Sequence, residues 1–203
     1  MVCRAPTEKR AAAGAGRVPA LKDLELEKGE VEFDPKRGVL VNEYMQSISN
    51  PNVYAAGDAA DGGLPLTPVA GFEGYTAAAN LLNGNRQKIE YPPIPSVVFT
   101  QPPLATVGLQ ERDAASKGID FEVRYGRTSE WYSSRRVNET FSGYKVILEK
   151  GEGTILGATL FGQHADEVIN LFAIAIRLGW TGRQIKELIF AYPTHASDIA
   201  YMV

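Results

Sequence analysis

The sequence predicts an α+β fold in which helices pack on one face of an antiparallel sheet. Two observations support this prediction: strand-like runs succeed one another in the second half of the chain, and helical runs follow them. The strand-like runs are FEVRYGR, GYKVILEK and TILGATLFG, and the helical runs are ADEVINLFAIAIRLG and TGRQIKELIF. Gly151-Glu152-Gly153 forms the predicted turn between the last two strands, and Thr181 is the predicted cap of the second helix. Strands followed by helices favour helices gathered on one side of a sheet.

The composition is that of a globular protein with room for one large domain or two small ones. Of the 203 residues, 44% are hydrophobic and 22% are charged, and the formal net charge is -3. A slightly acidic balance argues against a nucleic-acid or anionic-membrane partner. Apolar runs fall short of the roughly 20 residues that span a bilayer. With Cys3 as the single cysteine, the sequence predicts no disulfide and no metal site, and it fits a cytoplasmic protein.

A proline-rich segment, YPPIPSVVFTQPP, divides the chain into two predicted domains. Its prolines flank a β-branched strand, which is typical of a junction. We therefore expect a first domain over residues 1–90 and a second over residues 91–203. In the first domain, residues 53–56 are predicted to form a short buried strand. The run LTPVAGFEGYTAAANLLNG is predicted to be a helix that Thr67 caps and Gly84 ends.

The segment VYAAGD has the properties of a ligand-contacting strand end. Gly57 lets a ligand approach the backbone without meeting a Cβ, and the Asp58 carboxylate can accept hydrogen bonds from sugar-alcohol hydroxyls. The helix that follows offers free N–H groups at its start, which favour negative charge. Together these features suit a polyhydroxyl chain attached to an electron-rich ring. A buried strand followed by a capped turn would also explain the same residues.

The order of five motifs resembles the second half of the glutathione reductase and dihydrolipoamide dehydrogenase family, to which mercuric reductases also belong. The motifs are GRVP, VNEYMQSISNPNVYAAGD, LTPVAGFEG, PSVVFTQPPLATVGL and YPTHASD. The resemblance implies that the first domain is the last piece of a split FAD-binding domain. Gly57 and Asp58 would then contact FAD, with Asp58 bonded to the ribityl chain. The helix start that would face the isoalloxazine comprises Leu66, Thr67, Pro68 and Val69.

The resemblance also implies partners. Residues 91–203 would form the interface domain that makes a homodimer, and a broad apolar face on the helix ADEVINLFAIAIRLG points to that helix as the interface. The sequence contains no GxGxxG motif and no cysteine pair, so we expect NAD(P)H to bind a separate N-terminal half. We also expect the isolated chain to retain no FAD and to be inactive. The alternative is a free-standing dimerisation module without catalytic activity.

The terminal motif departs from the family pattern. Tyr192 stands where disulfide reductases carry a histidine, and Ser197 stands where they carry a glutamate. A phenol, with a pKa near 10, is a poor general base at neutral pH, which disfavours ordinary thiol–disulfide reduction. Mercuric reductases resemble this chain in the tyrosine, which makes Tyr192 a candidate catalytic residue. His195, with Asp198 one turn away, is the second candidate, whereas His164 is predicted to start the long helix without a catalytic role.

Overall fold

The computed structural model describes residues 18–203, which divide into two compact units on either side of the Glu90–Tyr91 bond. Cys3 and the first two residues of the GRVP motif lie outside this range. Within it, no helix combines the length and the apolar character that crossing a membrane requires.

The first unit is a small α+β assembly around one long helix. It contains a short 3₁₀ turn at Leu26–Gly29, a two-stranded antiparallel pair formed by β1 (Phe33–Asp34) and β2 (Gly38–Val39), a second 3₁₀ turn at Gly57–Ala59, and helix α1 (Thr67–Asn83). Two small apolar clusters fill it. Their buried members are Leu21, Val31 and Val39 in one, and Met45, Ala60 and Ala77 in the other.

Two local predictions for this unit are wrong. Residues 53–56 do not form a buried strand: they are half-buried, and Tyr54 makes a single bridge to Gln46. The segment opposite is not extended throughout, since Met45 has a φ of 63°, although its carbonyl still accepts a hydrogen bond from the Ala55 N–H at 3.0 Å. Nor does Thr67 cap α1, since the cap position is Leu66, whose carbonyl accepts from the Ala70 N–H at 2.9 Å. Gly84 ends the helix as predicted, with a φ of 75°.

The second unit has a five-stranded sheet, antiparallel throughout, in the order β3-β4-β7-β6-β5. Its strands are β3 (Ser96–Val98), β4 (Leu104–Gly108), β5 (Phe121–Arg127), β6 (Gly143–Glu149) and β7 (Ile155–Phe161). Its helices are α2 (Glu111–Ser116), α3 (Tyr132–Arg136), α4 (Ala165–Arg177), α5 (Gly182–Lys186) and α6 (Ile199–Met202). The predicted α+β class is confirmed. Thr181 caps α5 as predicted, in a reciprocal capping box with Gln184.

Helix α4 packs its apolar face onto the sheet of its own unit. The buried positions on α4 are Ala165, Val168, Ile169, Phe172 and Ala175, which repeat at helical spacing. They share one core cluster with Val107 of β4, Val146 of β6 and Leu160 of β7. The apolar face therefore needs no second subunit to cover it. Our reason for placing the dimer interface on this helix was wrong, because the sheet already removes that face from water.

Substitutions at Phe172 and Ile174 compare the buried and the exposed face of α4 in a stability experiment. The side chain of Phe172 is 1% exposed and that of Ile174 is 53% exposed. We expect Phe172→Ala to lower the free energy of unfolding by about 3–5 kcal/mol, since it leaves a cavity in the core. Ile174→Ala should change it by roughly 0.5 kcal/mol. Urea denaturation followed by circular dichroism measures both, and equal losses would mean that α4 does not pack as described.

Candidate functional site

The Gly57–Asp58 turn lies directly against helix α1. Gly57 has a φ of 65°, and a Cβ built on it would lie 2.9 Å from the Cβ of Ala70. Both the backbone conformation and the close approach to the helix therefore require glycine. Beyond it, the side chain of Asp58 is exposed. The sequence predicted that Gly57 ends a strand and leaves room for a ligand, whereas in the structure Gly57 begins a 3₁₀ turn that packs closely on the helix.

A buried glutamate holds this loop to the helix. Glu73 of α1 is 1% exposed, and its two carboxylate oxygens accept from different backbone N–H groups. Oε2 accepts from Gly57 at 2.6 Å and Oε1 accepts from Gly63 at 2.8 Å. Charge-assisted bonds of this kind compensate for the burial of a carboxylate. Sequence analysis missed Glu73, although a lone acidic residue among the small and apolar residues of α1 was an available signal.

A cavity of about 290 Å³ opens beside the loop. Its lining includes Asp58, Asp61 and the backbone of Gly57 and Gly63. Arg37 also lines it and forms an ion pair with Asp61, whose hydrogen bond and charge raise the pKa of the guanidinium. The cavity therefore presents carboxylate acceptors and backbone groups to a ligand rich in hydroxyls.

The four residues at the start of α1 that were predicted to face the flavin ring differ in how exposed their side chains are. Thr67 and Pro68 are exposed and Leu66 is half-buried, whereas the side chain of Val69 is buried in the unit. Val69 could therefore face a ligand only through its backbone. Pro68 has no N–H, and its place in the first turn is one that proline tolerates.

The terminal motif belongs to the second unit and contains both candidate catalytic side chains. Tyr192 is 69% exposed, and its ring stacks on that of Tyr132 with 6.3 Å between centroids. His195 is half-buried, and its Nε2 is buried without a hydrogen-bond partner among the described residues. The His195 ring lies 5.0 Å from the ring of His164, measured between centroids. Nothing in the spacing of the two histidines along the chain predicted that their rings are neighbours.

Asp198 does not orient His195 through a hydrogen bond to its ring. The Asp198 carboxylate, which is buried, accepts a short hydrogen bond from the Ser133 hydroxyl. Burial raises the pKa of Asp198, and the Ser133 bond and the nearby His195 oppose that shift. Among residues 18–203, no three His, Cys, Asp or Glu side chains converge in a way that could hold a metal ion.

The pKa of His195 is lowered, first by burial and then by the charge of His164. Asp198 and Glu139 act in the opposite direction without reversing the shift. Because its ordinary value is 6.5, the His195 imidazole is mainly neutral at neutral pH. A neutral ring with a buried Nε2 can take up a proton only at a cost to the folded state.

Glu73→Gln tests the link between α1 and the loop. The amide keeps one acceptor oxygen but turns an NH₂ group toward the other backbone N–H, so one bond is replaced by a donor–donor contact. We expect a loss of about 2–3 kcal/mol in the free energy of unfolding. The matched control is Glu43→Gln, which breaks only the exposed ion pair with Lys88 and should cost at most about 1 kcal/mol. Hydrogen exchange should show faster exchange at the Gly57 and Gly63 amides in Glu73→Gln alone.

Acidification should destabilise the protein through His195. Its folded-state pKa lies below the unfolded value of 6.5, so the unfolded chain binds the proton first as the pH falls, and stability is lost below that value. Asp198 opposes this at lower pH, since its raised pKa favours proton uptake by the folded state. We expect the urea midpoint to fall between about pH 7 and pH 5.5 in the wild type and to fall less in His195→Gln. His164→Gln should keep part of the slope because burial, the larger cause, remains. An unchanged slope in His195→Gln would contradict the assignment.

Two family models match the chain. The model described as the pyridine nucleotide-disulphide oxidoreductase dimerisation domain matches residues 94–203, and the model described as pyridine nucleotide-disulphide oxidoreductase matches residues 9–74. The first match alone covers more than half of the chain.

Similar proteins fall into two length classes. An "uncharacterized 19.7 kDa protein in mercuric resistance operon" of Staphylococcus aureus is 52% identical over 89% of this chain and the whole of its own length. Mercuric reductase of Staphylococcus aureus is 33% identical over 91% of this chain, and glutathione reductase of Nostoc sp. is 32% identical over 92%. The chain spans 33% and 43% of the lengths of those two enzymes.

A solved structure agrees with these matches. The flavoprotein disulfide reductase RclA from Escherichia coli superposes with a TM-score of 0.81 at 25% identity, over 93% of this chain and 43% of RclA. The matched models, the relatives and the shared fold agree, and the chain belongs to the pyridine nucleotide-disulphide oxidoreductase family, whose members are flavin-dependent and linked to pyridine nucleotides.

Proposed function

We propose that this chain supplies the flavin-contacting loop and the dimer interface of a cytoplasmic oxidoreductase that uses FAD and NAD(P)H. The observation that supports this most is the Gly57–Asp58 turn, which Glu73 holds against α1 beside a cavity of about 290 Å³. A Cβ at Gly57 would collide with Ala70, so this glycine lets the loop pack closely on α1, and the same glycine lines the cavity. The acceptors and small residues present there fit a flavin with a hydroxylated side chain.

In this proposal each residue of the loop and helix start has a distinct role. The Asp58 carboxylate accepts hydrogen bonds from ribityl hydroxyls, and Gly57 allows the close approach. Leu66, Thr67, Pro68 and Val69 place the first turn of α1 beside the ring, where the helix dipole favours negative charge. Val69 contributes through its backbone, because its side chain is buried. When bound, FAD would supply the electron transfer, and NAD(P)H the electrons, through a separate N-terminal FAD/NAD(P)-binding half.

We place the homodimer contact within residues 91–203, the range that includes the match to the dimerisation model. Since α4 is covered by its own sheet, a second copy would instead cover apolar side chains that the unit leaves in water. Phe99 and Ile189 are the foremost of these, at 79% and 100% exposed. Burial of such side chains is the usual driving force for association.

Tyr192 is the better of the two candidate catalytic side chains. It is largely exposed, so a substrate can reach its hydroxyl, whereas Nε2 of His195 is buried. A tyrosine is not suited to the acid–base work of thiol–disulfide reduction at neutral pH. Relatives named mercuric reductase, and one named for a mercuric resistance operon, support an acceptor of the mercuric type, with Tyr192 in contact with the substrate.

A free-standing dimerisation module is the second candidate function. It is favoured by the unit that follows Tyr91, which has its own sheet, helices and continuous core. In such a module the first unit would have only a structural role, and Asp58 would contact no flavin.

An FAD titration distinguishes the two functions. We expect the purified chain to quench FAD fluorescence weakly at equilibrium and to lose the flavin on gel filtration, running as a colourless dimer in light scattering. Asp58→Ala should weaken the equilibrium binding about tenfold, as expected for a lost hydrogen bond to a charged group. Asp23→Ala, which removes an exposed carboxylate elsewhere in the first unit, should leave it unchanged.

Three results bear against the proposal. A dimer that shows no equilibrium binding of FAD would favour the module, and equal binding by wild type and Asp58→Ala would remove the ribityl role. A monodisperse monomer would contradict the dimer contact. Melting curves of both variants show whether each remains folded at the titration temperature.

A further inference from the structure

Four aromatic side chains of the second unit surround one cavity of about 350 Å³. Trp131 and Tyr132 come from the start of α3, Tyr192 from the terminal motif and Tyr201 from α6. The fifth lining residue is Asp198. Sequence analysis singled out Tyr192 and Asp198 for other reasons and did not predict that three separate segments would bring these rings together.

The rings form walls that face different directions. The rings of Trp131 and Tyr201 meet edge to face, at 5.9 Å between centroids and an interplanar angle of 69°. Tyr132 and Tyr192 lie closer to parallel, at 6.3 Å and 26°. Walls set at several angles suit a rounded group better than a flat one, because a flat group would stack on one ring and leave the others uncovered.

The charges around the cavity favour a cation. The face of an aromatic ring carries negative potential, and among aromatic side chains Trp attracts cations most strongly, with Tyr also effective. Asp198 adds an acidic group to the lining, and its carboxylate accepts a hydrogen bond from the Ser133 hydroxyl. No lysine or arginine is among the described residues that line the cavity. A second cavity, on β5, β6 and β7, differs in charge. Arg127 and Lys145 line it together with Tyr125 and Tyr144.

The rings are also accessible. Tyr132, Tyr192 and Tyr201 are each exposed, whereas aromatic rings that serve only packing are usually buried. We propose that this cavity, which we call the aromatic cage, is a binding site for an organic ammonium ion, with the cation enclosed by the four rings and facing Asp198. The cage lies entirely within the second unit and shares none of the flavin-contacting residues, so its test does not depend on FAD binding. It does include Tyr192, the residue proposed above to contact the electron acceptor.

Choline and 3,3-dimethyl-1-butanol are the probes that test this site. The two molecules have the same shape and hydroxyl group, but only choline carries a positive charge. Titration of the full chain, followed by tryptophan fluorescence at constant ionic strength, should show choline binding roughly tenfold more tightly. Equal affinities would mean that the cage is only an apolar surface, and an absence of choline binding would overturn the proposal.

Variants of Tyr132 identify the interaction. Tyr132→Phe keeps the aromatic face and should bind choline within about twofold of the wild type, whereas Tyr132→Leu should weaken it about fivefold or more. The matched control is Tyr125→Leu, which removes an exposed tyrosine from β5, outside the cage, and should not affect binding. Weakening by Tyr125→Leu, or none by Tyr132→Leu, would overturn the assignment.

Asp198→Asn tests the charge. We expect it to reduce the preference for choline over 3,3-dimethyl-1-butanol while leaving the affinity for the neutral molecule unchanged. Because Asp198 is buried, the melting temperature of this variant is measured in parallel, and the comparison is made below it. An unchanged preference in the folded variant would show that the carboxylate does not contribute and would contradict the proposed orientation of the cation.

Discussion

The first unit depends on one buried carboxylate. Glu73 lies on α1 and is buried, and its two carboxylate oxygens accept hydrogen bonds from the backbone N–H groups of Gly57 and Gly63. A buried carboxylate without such partners would strongly destabilise the fold, so helix and loop must be positioned together. The exposed Asp58 follows directly from this arrangement. Asp58, the residue proposed to contact the flavin, is exposed, while the buried Glu73 holds the neighbouring backbone in place.

The second unit depends on the packing of α4 against the sheet. Five positions at helical spacing face a core built from alternating strand residues. Within the sheet, Gly157 of β7 lets the residue that follows β4 approach the strand closely. A Cβ there would lie 2.0 Å from the carbonyl oxygen of Leu109. Because the sheet covers the apolar face of α4, the surfaces left for partners are the aromatic and aliphatic side chains that the second unit exposes, such as Phe99 and Ile189. The broad apolar face that sequence reasoning assigned to a dimer is part of the core.

The parts of the fold that could be predicted are those encoded by neighbouring residues. The hairpin of β6 and β7, the capping box at Thr181 and the end of α1 at Gly84 each depend on a few consecutive side chains. The strand predicted at residues 53–56 was wrong because an extended strand needs an extended partner, and the segment opposite has a positive φ at Met45. Glu73, the contact of His164 with His195, and the aromatic cage depend on tertiary packing. Spacing along the chain carries no information on such pairs.

Asp198 connects the polar interior of the second unit with its aromatic surface. It lines the aromatic cage, and it also lines a small cavity of about 30 Å³ together with His195 and Glu139. Burial alone would favour the protonated acid, and the Ser133 hydroxyl supplies only part of the compensation for an ionised one. The His195 ring adds little to this compensation at neutral pH, because the pKa of His195 is lowered and the ring is mainly neutral. A cation held among the aromatic rings would add a favourable interaction with this carboxylate, which is the arrangement proposed for the cage.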